Sequence, residues 1–192
     1  MNFYISDLHL GHHSLYTKEE EAQLLENWNR VVGDEDIVYI LGDVSFYGSQ
    51  RTVEILSGLK GRKILLKGNH DRKFLKNPLF VALFEEICDY KEIQDEGRCV
   101  VLCHYPILAF KNAYRGWVHL YGHIHQGIDK DIILTAHQRM EEAYKMDIKM
   151  ESVDSRELGF QPRTLKEILE KKNFLKSAEN RGRDRKGRYL LV

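Results

Sequence analysis

The sequence predicts a layered α/β domain, and three observations carry that prediction. Apolar runs of strand length alternate with segments of helical period along the chain. The 192 residues are 43% hydrophobic, enough to bury a substantial core in one domain. Polar side chains able to bind metal recur directly after the apolar runs, as they would at one edge of a sheet. With 30% charged residues and no apolar run near the length of a bilayer span, the chain reads as neither a membrane protein nor a wholly disordered one. Cys88, Cys99 and Cys103 are odd in number and form no C-x-x-C pair, which suits reduced thiols in a cytoplasm. Met1 to Ser6 reads as a strand rather than a signal peptide, so a cytoplasmic location is expected.

Phe3 to Ser6 is the first strand. Thr17 then opens a capping box with Glu20, and Leu24, Leu25, Trp28, Val31 and Val32 share one face of the helix that follows. Ile37 to Leu41 is a short buried strand, Val53, Leu56 and Leu59 mark a second amphipathic helix, and Ile64 to Leu66 another strand. Ile87 to Ile93 and Arg98 to Cys103, separated by Asp95-Glu96-Gly97, predict a hairpin, so the sheets should be mixed. Trp117 to Tyr121 gives one more strand. Residues 131–146 are expected to be helical and 147–153 extended, and Thr164 with Glu167 forms a second capping box before a last helix.

The charges place an expected boundary. The chain carries 29 basic and 29 acidic residues, but from Arg163 onward there are ten Lys/Arg against four Asp/Glu, so the body is acidic and the end basic. We read residues 1–172 as the domain and 173–192 as a basic carboxy-terminal extension. Clustered Arg and Lys with Gly there could contact nucleic acid, although a solvated tail explains them as well.

The chemistry lies in five blocks. Asp7 and His9 follow the first strand, Gly42-Asp43 the second, Gly68-Asn69-His70-Asp71 the third, His104 the run 100–103, and Gly122-His123-Ile124-His125 the run 117–121. Asp7, His9, Asp43, Asn69, His104, His123 and His125 are carboxylates, imidazoles and one amide, with no thiolate among them, which suits manganese, iron or zinc. Seven ligands are too many for one ion with an open position, and two ions bridged by a carboxylate account for them. Glycine before Asp43, Asn69 and His123 would let the backbone turn sharply off each strand.

Two divalent ions bring four positive charges, of which Asp7, Asp43 and a bridging hydroxide cancel three. The remaining positive centre favours an anion, and a phosphoryl group fits because two ions can hold its oxygens while metal-bound hydroxide attacks in line. His70 is not needed as a ligand and can act as general acid toward the leaving oxygen, with Asp71 holding its ring. His12, His13, His119 and His137, with Arg72 and Arg115, read as ordinary hydrogen-bonded or exposed side chains, and Tyr105 and Trp117 as packing residues.

In this order and spacing the five blocks resemble the calcineurin-like metallophosphoesterase family. Glu26-Asn27-Trp28-Asn29 and Pro162 to Ile168 are similar to its small single-domain bacterial and phage members. The resemblance implies a four-layer αββα sandwich of two sheets, with the metal site at the carboxyl ends of the strands. It also implies that Asp7, His9, Asp43 and His125 hold one ion, that Asp43, Asn69, His104 and His123 hold the other, and that His70 is the catalytic acid. The chain departs from the small members at Ser14, where Asn is common, and near Glu151 to Val153. The expected function is therefore a metal-dependent phosphoesterase acting on phosphomonoesters or phosphodiesters. Manganese is the first choice of metal, with iron, zinc and nickel as alternatives. The other readings are a nuclease or nucleic-acid end-processing enzyme using the basic end, and a non-catalytic metal-binding scaffold. Oligomeric state is left open by the sequence.

Overall fold

The protein is described here by a computed structural model covering residues 1–170. Four strands, β1 (Asn2–Ile5), β2 (Ile37–Ile40), β3 (Arg62–Leu66) and β4 (Phe84–Cys88), form the first sheet in that order. All three pairings are parallel, so each strand returns to the same edge through a crossover. The crossovers are α1 (Lys18–Val31), α2 (Ser49–Ser57), and a 3₁₀ segment over Asp71–Lys76 followed by α3 (Pro78–Val81). The second sheet is β5 (Tyr90–Asp95), β6 (Arg98–Cys103), β7 (Val118–Tyr121) and β8 (Lys149–Ser152), again in that order. Here β5 and β6 are antiparallel while β6–β7 and β7–β8 are parallel, with α4 (Ile128–Tyr144) as the last crossover and α5 (Leu165–Leu169) after it. Mixed pairing, expected of both sheets, is thus confined to the second.

The run 87–93 differs from the predicted hairpin strand. It is cut at Asp89, with Ile87 and Cys88 ending β4 and Tyr90 beginning β5 in the other sheet. Both halves have strand character, so side-chain pattern alone does not mark the corner where the chain changes sheets. The hairpin turn itself is the two residues Glu96 and Gly97, both with positive φ (48° and 75°), which matches the twist of the strands they join.

Alternation along β6 builds the layers. Val100 and Leu102 join Phe3, Ile5, Val38, Ile40, Leu65, Leu24 and Trp28 in the main core, whereas Val101 packs outward with Tyr121, Met150 and Ile148. Ile133 and Met140 of α4 cover that outer cluster. Both capping boxes form: the Thr17 side chain accepts from the Glu20 amide and the Thr164 side chain from the Glu167 amide. The Glu26–Asn29 motif fixes α1 to its neighbours. The Asn27 amide donates to the Phe160 carbonyl, the Trp28 indole to the Lys60 carbonyl, and Asn29 to the Gly58 carbonyl.

Among the described residues no helix is long and apolar enough to cross a membrane. The basic extension at 173–192 lies outside the described residues, as does all of the charge surplus that suggested a nucleic-acid contact.

Candidate metal centre

Parallel pairing brings the ends of β1, β2 and β3 to one edge, and the two sheets meet there. Ser6 donates its amide to the Val153 carbonyl and accepts from the Ser155 amide, so the end of β1 is bonded to the segment after β8. Asp7 N–H donates to the Gly42 carbonyl and Gly122 N–H to the His104 carbonyl, which ties the remaining loops together. All five blocks read from the sequence therefore lie on one rim.

The backbone along that rim is held in a conformation L-residues avoid. Asp7 (φ 55°), His9 (φ 42°), Asp43 (φ 55°) and His123 (φ 73°) are all left-handed. The glycines serve partly for turning and partly for room. Gly42 has φ +83°, but a Cβ on Gly68 would stand 2.2 Å from Asp43 Oδ1, and one on Gly122 would stand 2.4 Å from Asp7 Oδ2. Gly68 and Gly122 thus permit close approach to the two carboxylates, a role beyond the turning expected of them from the sequence.

Asp7, His9 and His125 form the first donor group. Asp7 is fully buried and divides its oxygens between two tasks. Oδ2 accepts from the Ser6 hydroxyl at 2.5 Å and the His123 amide at 3.0 Å, while Oδ1, which the same amide reaches at 3.3 Å, also faces His9 Nε2 at 3.5 Å and His125 Nε2 at 3.8 Å. The two Nε2 atoms are 3.0 Å apart. His125 donates from Nδ1 to Asp154 Oδ2 at 2.5 Å, which raises its pKa and, in the neutral ring, leaves Nε2 as a lone pair. His9 Nδ1 is buried and, among the described residues, without a hydrogen-bond partner. Donors around a cation with bonds of about 2.1 Å stand roughly 3.0–3.4 Å from one another. The two imidazole nitrogens fall in that range and Asp7 Oδ1 stands slightly beyond it, so the three donors converge on a position suited to a divalent ion.

Asp43, His104 and His123 form the second donor group. Asp43 repeats the division of labour: Oδ1 accepts from the His70 amide at 2.9 Å, and Oδ2 lies 3.6 Å from His104 Nε2. His104 is fully buried, and its Nδ1 donates to the Leu41 carbonyl at 2.7 Å, so the neutral ring turns a lone pair on Nε2 toward Asn69 Oδ1 at 3.1 Å. Both atoms are of kinds that bind divalent cations. His123 is exposed, and partial desolvation together with neighbouring His104 lowers its pKa. The seven expected ligands thus gather at two adjoining groups.

His70 stands over both groups with an exposed ring. Its Nε2 is 3.9 Å from Asp43 Oδ2, and its ring is 6.0 Å from that of His9 and 4.8 Å from that of Phe46, centroid to centroid. Asp71 takes a different part from the one expected. Its buried carboxylate accepts from the amides of Asp43, Val44 and Gly68 at 2.8–3.0 Å, and no hydrogen bond to the His70 ring is present among the described residues. Both oxygens are committed to backbone donors, so Asp71 shapes the loops that carry Asp43 and Asn69 rather than orienting the imidazole. Burial raises its pKa against the opposing pull of those amides.

Asp154 was not found by sequence reasoning, although it obeys the same rule as the other blocks. It follows β8 and the apolar Val153, one residue beyond the stretch read as extended. Tyr16 and Ser155 were also missed; the hydroxyls of both donate to the Asp7 carbonyl. His119 behaves as expected of a structural histidine. It is buried between the Val101 and Tyr105 carbonyls and the Ile107 amide, and desolvation lowers its pKa to about 4.

The whole-chain comparisons agree with this geometry. The sequence matches the profile of the calcineurin-like phosphoesterase family over residues 3–174. A "Gene 66 protein" of Mycobacterium phage D29 is 29% identical over 167 residues, covering 71% of this chain and 84% of its own. An uncharacterized protein of Methanocaldococcus jannaschii is 31% identical over 134 residues, covering 64% and 68% respectively. Among solved structures, a protein of unknown function from Aquifex aeolicus superposes with a TM-score of 0.65 at 25% identity, covering 88% of this chain and 98% of that one. With a profile match across nearly the whole described chain and donor groups suited to divalent metals, the protein belongs to the calcineurin-like phosphoesterase family.

Proposed function

We propose that the protein is a dinuclear metal-dependent phosphoesterase that hydrolyses phosphomonoesters or phosphodiesters. The observation that carries this reading is the pair of adjoining donor groups, each with one buried carboxylate oxygen anchored by protein donors and the other turned to histidine nitrogens. Asp7, His9 and His125 would hold one ion and Asn69, His104 and His123 the other, with Asp43 contributing to both. When bound, two divalent ions supply positive charge for the phosphoryl oxygens and lower the pKa of water. The donor set favours manganese, with iron, zinc and nickel as alternatives.

The chain's own groups supply the rest. His70, exposed beside Asp43, donates a proton from its ring to the leaving oxygen. Asp71 is a positioning residue, keeping three backbone amides in place beneath Asp43 and Asn69. Purified protein, stripped with a chelator and reloaded with each metal in turn, is expected to regain hydrolysis of aryl phosphate monoesters or diesters. His70→Ala should lose about 10²–10⁴-fold in kcat while retaining both ions. Protein carrying two ions yet inert toward a full panel of monoesters and diesters would overturn the catalytic reading, and saturation at one ion would overturn the dinuclear one.

A further inference from the structure

A shallow, open recess lined by Gly11, His12, His13, Ser14 and Phe46 lies beside the metal centre. Phe46 is the wall it shares with the centre. The ring centroid lies 5.3 Å from that of His9, 4.8 Å from that of His70 and 4.4 Å from that of His12, the last in edge-to-face contact. The Lys73 ammonium stands 5.7 Å from the same ring. Phe46 is partly buried, so an edge of its ring remains open to solvent beside the donor groups.

The opposite wall is built firmly. The Gly11 amide donates to Glu21 at 2.7 Å, and the Tyr47 hydroxyl donates to the same carboxylate. Tyr47 fills the space beneath Gly11 so closely that a Cβ there would come within 2.7 Å of its ring. The recess therefore has one braced side and one aromatic side, and the aromatic side borders His70.

We infer that this recess is the subsite for the ester group of the substrate, and that it selects phosphoesters whose ester oxygen carries a planar aromatic group. The inference rests on the phosphoesterase reading and names the group that site accepts. A phosphoryl group at the metal centre places the attached ring within reach of Phe46, where offset or edge-to-face contact is favourable and a saturated chain gains less. The Lys73 ammonium near the Phe46 ring favours an anion carrying an electron-rich ring.

Non-hydrolysable phosphonates test this without the confounding effect of leaving-group reactivity. Inhibition by phenylphosphonate, methylphosphonate and a nucleoside phosphonate is compared in the metal-loaded wild type, Phe46→Ala and Phe46→Leu, with bound metal measured in each. The wild type should prefer phenyl to methyl by about tenfold, and both variants should lose that preference while methylphosphonate affinity and metal content hold. The nucleoside arm distinguishes a ring held close to the phosphorus from a base held beyond a sugar. Equal loss of all three inhibitors in both variants would make Phe46 a support for His9 and His70 and overturn the subsite. Retained preference in Phe46→Leu would overturn the aromatic part of the inference. Hydrolysis and metal binding intact in the wild type, without discrimination between phenyl and methyl, would sink the subsite alone and leave the phosphoesterase reading standing.

Discussion

The two donor groups are built from the same residue types but differ in how far they are closed. In the first, His9 is buried, His125 is clamped to Asp154, and Asp7 is fully buried beneath the end of β1. In the second, Asp43 and His104 are equally deep, but His123 and Asn69 are exposed. The first group is the more deeply enclosed, with His125 held by Asp154, whereas the second is open on the side of His123 and Asn69. The lesson is that ligand identity, which sequence displays, is separable from ligand rigidity, which depends on neighbours distant in the chain. The ion at the enclosed group should leave last when a chelator is titrated in.

The sharpest way to break the comparison is to remove the carboxylate assigned to both groups. Asp43→Ala is expected to abolish binding at the second group, weaken the first, and lower hydrolysis by about 10³-fold. If the first group kept its full affinity, the groups would be independent and the sharing of Asp43 would be wrong.

Acid should act on the open side next. His119 donates from Nδ1 to the Val101 carbonyl and accepts at Nε2 from the Ile107 amide, just beyond His104, and burial sets its pKa near 4 against an ordinary 6.5. Above pH 6.5 both folded and unfolded chains have it neutral. Between 6.5 and 4 only the unfolded chain takes up the proton, so stability falls with falling pH, by about 3 kcal/mol in total at roughly 1.4 kcal/mol per unit. Urea unfolding of chelated protein at stepped pH should show this slope, and His119→Gln should flatten it. An unchanged slope in that variant would assign the acid sensitivity elsewhere.

A smaller change should separate the groups. Asp154→Asn leaves every ligand in place but weakens the hydrogen bond that fixes His125, and is expected to cost about 10–100-fold in affinity at the first group alone. Calorimetric titration with manganese would show one step weakened and one unmoved; two steps weakened together would mean that Asp154 supports the rim as a whole. The smallest effect belongs to Thr17→Ala, which removes the cap of α1. It should lower stability by about 1 kcal/mol with both metal steps preserved, serving as the control for loss of stability without loss of site.

Much of the site was legible because its residues obey a simple rule: a short apolar run followed at once by a carboxylate, amide or imidazole. Parallel strands convert that linear rule into a shared edge, so Asp7, Asp43, Asn69, His104 and His123 could be gathered from the order of residues alone. Both capping boxes were legible for the same local reason. Asp71 was misread because a carboxylate next to a histidine in sequence has two ways to be satisfied, and here three backbone amides outcompete the ring. The corner at Asp89 was invisible because strand character continues across it. Asp154 and Ser155 were missed although the signal was there: Val153-Asp154 follows the rule, but the preceding strand is less apolar than the others.

The bond between the end of β1 and the segment after β8 also governs when the site can exist. Ser155 donates its hydroxyl to the Asp7 carbonyl across 148 residues of chain, and Ser6 is paired with both Val153 and Ser155. A growing polypeptide that has emerged only as far as His125 would carry all seven proposed ligands but lack the clasp that seats the first of them. Closing so long a loop carries a large entropic penalty before any contact rewards it, which makes this step a natural late event in folding. Metal capture would then report completion of the fold, coupling the acquisition of reactivity to the last stage of the chain's assembly.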